Sequence, residues 1–315
     1  MGVAERHWPE LPYDALKPTL DSLHLWTQIA GKIRLACTPW LNHSWHTTLH
    51  VSERGLATGF VPHGTSGFGL EFDFLDHAIV VRTCDGGEAR IALRPRSTAG
   101  LHAELIESLA ALGFPVRINT RPNEIPDAVP FPRDERPRAY DRDAAWRFWR
   151  ALAQCDRVFR LFRTGFVGKA SPVHFFWGGF DLAVTRFSGR TAPPHPGGVP
   201  NLPDDVVREA YSHEVSSAGF WPGDDVTRGA SFYSYAYPEP AGFAKARVSP
   251  GAAAYDSRLG EFLLPYDAVR DAADPDAALL AFLQSTYDAA ADAGHWDRAA
   301  LEVPPGRIGR PRHIA

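Results

Sequence analysis

FGLEFDFLDHAIVVRTCDGGEARIAL, residues 68–93, is the stretch that decides the fold class of this chain. Phe68, Leu70, Phe72 and Phe74 alternate with Gly69, Glu71 and Asp73, a period of two that places the apolar side chains on one strand face. Residues 79–82 and 89–93 continue the pattern on either side of Cys84-Asp85-Gly86-Gly87, which reads as a hairpin turn. Upstream, Trp45, Thr47, Leu49 and Val51 alternate with His46, Thr48 and His50, and residues 55–61 read as a further strand. Before them, Leu20, Leu23, Trp26, Ile29 and Ile33 fall at helical spacing over residues 17–36, between Pro18 and Pro39. Thr98 opens a helix carrying Leu101, Leu105, Leu109 and Leu112, Gly113 stops it, and a short strand is expected beyond.

Residues 121–140, RPNEIPDAVPFPRDERPRAY, hold five prolines and no apolar period, which forbids both a helix and a central strand. They read as an extended connector that Ile125, Val129 and Phe131 could pin to a surface. Beyond it come a helix over 141–164 with Trp146, Trp149, Leu152, Phe159 and Phe162, and a strand over 173–187 interrupted at Gly178-Gly179. A Gly/Pro loop (188–203) leads to a short helix from Asp204 toward Tyr211, with His213 at its C-terminal end. Strands at 232–237 and 260–264 follow, then a final helix opened by Pro275 after Asp274. The expected fold is α+β, with two similar helix-covered, mainly antiparallel sheet halves packed as one unit. The halves are 1–120 and 141–315, joined by the connector. LHLWTQIAGKIRL (23–35) echoes AWRFWRALAQCDRVFRL (145–161), which suggests an internal duplication. The pairs Gly31-Lys32 and Gly168-Lys169 suggest a different register for it.

Composition excludes several classes. Lys+Arg 33 against Asp+Glu 37 gives a net charge of −4, which argues against a nucleic-acid binder. No run approaches the roughly 18 apolar residues of a membrane span. Cys37, Cys84 and Cys155 are odd in number, widely spaced and fit no metal knuckle, so the reading is a reduced, cytoplasmic protein. Neither a phosphate-cradling glycine motif nor a nucleophile elbow occurs.

The 13 histidines and nine tryptophans are the informative excess, and residues 168–243 are the densest stretch, joining His174, Asp181, Arg186, His195, His213 and Glu214 to many glycines and aromatics. Imidazole and carboxylate are standard ligands of a divalent or transition metal, and His174, His195, His213 and Glu214 are the candidates here. Their sequence spacing fits no compact motif, so convergence would have to come from the fold. The competing reading makes His174 a hydrogen-bonded core histidine and His213 a helix-terminal one. His46 and His50 lie about 13 Å apart along a strand, too far for one ion. Acid–base work would fall to His213 with Glu214 and Asp181, or to Glu239 held between two prolines. Arg186 could hold an anionic group, and Trp177, Phe220, Trp221, Tyr233 and Tyr235 could wall a cleft.

SPVHFFWGGFDLAVTRFSGR (171–190) and EAYSHEVSSAGFWPG (209–223), followed by FYSYAYPEP (232–240) and GEFLLPY (260–266), resemble the hallmark stretches of a bacterial family, domain of unknown function 5996. The resemblance runs over nearly the whole chain. It implies one compact unit across both halves and transfers no catalytic role. The leading expectation is therefore an enzyme acting on a small polar molecule in a cleft of the C-terminal half, metal-dependent if the histidines converge. Such an enzyme would be a hydrolase or an oxidoreductase. The alternatives are a non-catalytic small-ligand-binding protein using the same aromatic cleft, and an interaction module whose aromatic loops meet a protein partner. No nucleic acid or membrane partner is expected.

Overall fold

The structure is a computed structural model and describes residues 7–312. Helix α1 (Tyr13–Cys37) buries Leu16, Leu20, Leu23, Trp26, Ile29 and Ile33, the stripe that its sequence periodicity demands. Six strands follow: β1 (His50–Val51), β2 (Gly55–Ala57), β3 (Val61–His63), β4 (Ser66–Asp73), β5 (Ala78–Thr83) and β6 (Glu88–Ala92). Helix α2 (Thr98–Ala111) closes this part, with Leu101, Leu105 and Leu109 fully buried at about 1.5–3 kcal/mol each. Past the connector come α3 (Arg142–Thr164), β7 (His174–Phe176), β8 (Asp181–Thr191), α4 (Asp204–Ala210), β9 (His213–Trp221) and β10 (Ser231–Tyr237). The chain continues through β11 (Ala254–Asp256), β12 (Glu261–Pro265), α5 (Tyr266–Arg270), α6 (Pro275–Ala293) and α7 (Arg298–Leu301).

The fold is α+β with two antiparallel sheets, as the sequence predicts. The first runs β1-β2-β4-β5-β6, with β3 also paired to β4, and the second runs β11-β12-β10-β9-β8-β7. The same plan occurs twice: a long helix, a five-strand meander (β1-β2-β4-β5-β6, then β7-β8-β9-β10-β12) and a closing helix. The two meanders meet at their first strands. Leu49 N–H donates to Phe175 O at 2.9 Å and Phe175 N–H to Leu49 O at 2.7 Å, the reciprocal exchange of an antiparallel pair. One contiguous apolar core runs through both sheets, from Trp8 to Ala291.

Local chemistry explains where strand signals fail. Residues 45–48 alternate like a strand yet form a turn, and ladder pairing starts only at Leu49, because Thr47 Oγ1 bonds Ser44 O at 2.9 Å and Thr48 Oγ1 bonds Trp45 O at 3.1 Å. Threonine hydroxyls that satisfy carbonyls three residues back compete with ladder bonds. His213 begins β9 and does not end a helix: the turn from α4 takes only Tyr211 and Ser212. Strand β9 is buried along both faces from Val215 to Phe220, so it shows no apolar alternation. Ser97, and not Thr98, caps α2, its Oγ accepting from Gly100 N at 3.1 Å. Among the described residues, no strand lies between α2 and the helix at Arg142–Thr164.

Two contacts bind the β7–β8 turn and the connector to α1. The Trp177 indole lies against Gly31, where an added Cβ would sit 2.0 Å from its Nε1, and Nε1–H donates to Thr47 O at 2.8 Å. The Gln28 side chain pairs with the Asn123 backbone in both directions, Asn123 N to Oε1 at 2.8 Å and Nε2 to Asn123 O at 3.0 Å. A Gly31→Ala substitution should therefore displace Trp177 and lower unfolding stability by about 1–3 kcal/mol. Urea denaturation checks this, and an unchanged midpoint would contradict the packing described.

Candidate functional site

A cavity of about 760 Å³ lies over the odd-numbered side chains of β8, β9 and β10, among them Asp181, Ala183, Thr185, Ser217, Tyr233 and Tyr235. Register puts these on one face. Ala183 stands opposite Gly219, which stands opposite Tyr233, and Thr185 opposite Ser217, which stands opposite Tyr235. The reverse face of the same strands carries Leu182, Val184, Phe220 and Phe232 into the core. Lys32 from α1, Trp40 to Thr47, Asn123 and Glu124 of the connector, and the 199–211 segment complete the walls. The cavity is thus floored by the second sheet and closed by pieces from the first part of the chain.

Its polar centre is built on glycines. The β7–β8 turn is Trp177-Gly178-Gly179-Phe180, held by Gly178 O at 2.7 Å from His24 Nε2 and by Phe180 stacked on Phe148. The Glu124 carboxylate occupies the space a Cβ on Gly178 would take, with Oε1 1.9 Å from that position. A Cβ on Gly179 would lie 2.9 Å from Asp181 Oδ1 and 3.7 Å from Glu124 Oε2. Both carboxylates therefore approach the same point beside Gly179. Glu124 has φ +62°, a left-handed backbone costly for a non-glycine residue, and its N–H donates to Pro200 O at 2.7 Å. Tyr233 O–H donates to Asp181 Oδ2; its ring crosses the sheet over Gly219, where a Cβ would stand 2.4 Å from the hydroxyl oxygen.

Electrostatics follow from these surroundings. Glu124 is exposed by surface area, yet its carboxylate is crowded against the β7–β8 turn; that crowding by protein first, then the Asp181 charge, pushes its pKa up to about 7. Burial likewise raises Asp181 to about 6, against the opposing Tyr233 hydrogen bond. Behind them burial and Asp181 raise Glu261 to about 7. Among the described residues, no cation is paired with any of the three. Lys32 is turned away: its ammonium donates to Asn123 Oδ1, lies 5.7 Å over the Trp177 ring, and is lowered to about 8 by burial. On the far wall His43 Nδ1–H donates to Ala210 O at 2.8 Å, so Nε2 is left to accept from Lys169 Nζ. Tyr211 and Tyr235 hydroxyls meet at 2.8 Å.

Of the residues singled out from sequence, Asp181, Trp177, Tyr233 and Tyr235 line this cavity. The four proposed metal ligands are not gathered. His174 is fully buried under Trp45 and Phe176, with neither ring nitrogen hydrogen-bonded, and burial lowers its pKa to about 3. His195 stacks on Tyr211 at 4.7 Å, His213 Nδ1 contacts Ser212 Oγ at 3.0 Å, and Glu214 pairs with Arg190 at 2.6 Å. His213 and Glu214 therefore do not join Asp181 at the cavity centre. Among the described residues, no group of three or more His, Cys, Asp or Glu is arranged to hold a metal ion. Arg186 points through the opposite face of β8, its guanidinium 3.5 Å from the Phe162 ring centroid and bonded to Phe162 O, so it is a core residue and no substrate contact. Phe220 is likewise in the core, Trp221 ends β9 away from the cavity walls, and Glu239 accepts from Tyr255 O–H on the surface. Sequence reasoning passed over Glu124, Asn123, Lys32 and His43. The signal for the first two was a polar Asn-Glu pair between Pro122 and Pro126; for Lys32 it was the glycine before it.

The chain matches the family of unknown function DUF5996 over residues 8–303. It belongs to that family. The match takes in the floor, the connector and the wall segments of the cavity, so the site is built from the family's own domain in this member. No curated protein and no solved structure matches the chain. No helix among the described residues is long and apolar enough to cross a membrane.

The raised pKa of Glu124 makes a signed prediction. Its neutral form contributes stability that is complete below the ordinary value of 4.5 and lost as pH climbs through about 7. Glu124→Gln stays neutral throughout. It should melt higher than the parent at pH 8 and close to it at pH 5; equal melting temperatures at both values would contradict the assignment.

Proposed function

We propose that this protein is an enzyme that binds a small organic molecule in the cavity and performs acid–base chemistry on it with Glu124 and Asp181. The observation that carries the reading is the pairing of two carboxylates beside Gly178-Gly179, with no cation paired to them among the described residues, in a space of about 760 Å³. A cavity of that size suits a small-molecule ligand. Two acids whose surroundings keep one proton near neutral pH supply a donor and an acceptor in one site. Asp181, lower of the two and already accepting from Tyr233, is the acceptor; Glu124, reachable from the cavity, exchanges its proton with the bound molecule. Trp45, Trp177 and Tyr235 offer flat faces to hold the ligand's apolar part. The same cavity would also serve a protein that binds without catalysis, and one variant separates the two readings.

The experiment exposes purified protein to a metabolite mixture and follows both retained and consumed compounds by mass spectrometry. Ala183→Trp fills the cavity floor, and Asp181→Asn removes the acceptor. The proposal expects a compound retained or consumed by the wild type and ignored by a folded Ala183→Trp variant. It expects turnover to fall by about 10²–10⁴-fold in Asp181→Asn, well beyond any loss of retention. Retention without turnover in the wild type would establish binding alone, and equal capture by Ala183→Trp would remove the cavity from the account.

A further inference from the structure

We propose that the ligand of this cavity carries a protonated amine, seated between Glu124 and Asp181; the inference rests on the reading of the cavity as the functional site. The charge arrangement is one-sided. Glu124 Oε2 and Asp181 Oδ1 converge beside Gly179, and Glu261 adds a third carboxylate behind Asp181. None of the three forms an ion pair within the described protein, and the only hydrogen-bond donor from a side chain to Asp181 is the Tyr233 hydroxyl. Among the described residues, no side chain donates to the Glu124 carboxylate. Carboxylates that converge without a counter-ion repel one another, and a protein elsewhere so rich in arginine pairs leaves these unmatched among the described residues. A ligand cation supplies what the protein withholds.

The surroundings select the kind of cation. The Tyr233 and Tyr235 rings lie nearly parallel, 16° apart with centroids 6.1 Å apart, and Trp177 forms the adjoining wall. Aromatic faces next to carboxylates favour an ammonium attached to an apolar body. The nearest lysine does not compete for the position, because Asn123 Oδ1 and the Trp177 ring already engage Lys32. An ammonium between the two acids would donate N–H to each, and Glu124 or Asp181 would be placed to take its proton and free the amine lone pair for reaction. The proton is thus conserved within the site, moving from nitrogen to carboxylate oxygen.

Matched probes of one shape test the class: 2-phenylethylamine, 2-phenylethanol and 3-phenylpropionate, titrated calorimetrically into the full chain at pH 8. The amine should bind about tenfold or more tightly than the alcohol, with the carboxylate weakest. Glu124→Gln and Asp181→Asn, each checked for native circular dichroism, should erase that preference, and Ala183→Trp should abolish binding. If the alcohol or the carboxylate binds as well as the amine and Ala183→Trp removes it, the amine inference falls while the cavity reading stands. If no probe binds, or Ala183→Trp binds as the wild type does, both fall together.

Discussion

Two carboxylates share a protein-walled space without a counter-charge, and the architecture around them can be understood as what permits that. Placing a carboxylate against the β7–β8 turn requires Gly178, since any side chain there would occupy the position of the Glu124 carboxylate, and a side chain on Gly179 would crowd Asp181 Oδ1. Bringing Tyr233 across the sheet to Asp181 requires Gly219 for the same reason. Glu124 itself is held with a left-handed backbone, a local cost met by the hydrogen bonds of the Asn123 and Glu124 amides to Gln28 and Pro200. Local strain and uncompensated burial gathered at one point are the pattern expected where structure has been given over to function.

The duplicated plan supplies the frame. Each part of the chain makes a meander with one face packed under helices, but only the second sheet has its other face roofed. On the first sheet that outer face carries Glu71, Arg82, Glu88 and Arg90 in mutual ion pairs. On the second it carries Asp181, Thr185, Ser217 and Tyr235 under α4, the connector and the turn around His43. The reciprocal bonds between Leu49 and Phe175 join the two sheets at their first strands and bring residues 40–47 over the floor of the second. The site therefore belongs to the joint between the repeated parts.

Much of the fold was legible because its elements carry strong periodic signals: Phe68 to Phe74 at period two, and Leu101, Leu105 and Leu109 at helical spacing. β9 was not legible, since a central strand buried on both faces by small residues such as Ser216, Ser217, Ala218 and Gly219 shows no alternation. Residues 45–48 misled in the other direction, through threonines that bond back to the chain. For the site, Asp181, Trp177, Tyr233 and Tyr235 stood out because they lie in a dense Gly/aromatic stretch. Glu124 and Lys32 did not, because a polar pair between prolines and a glycine before a helical lysine are weak local marks that say nothing of a cavity more than 50 residues away in sequence. The three histidines of that stretch pointed elsewhere: His174 serves the core, and His195 and His213 stay at the margin.

The central claim is that the acid pair holds a proton near neutral pH inside the folded protein. Carbon-13 labelling of the glutamate and aspartate side chains, with the carboxyl shifts followed against pH and Glu124→Gln used for assignment, measures it directly. The account predicts a Glu124 carboxyl that titrates at about 7. A Glu124 resonance that titrates in the ordinary range near 4.5 would show a solvated, independent carboxylate and contradict the site as described.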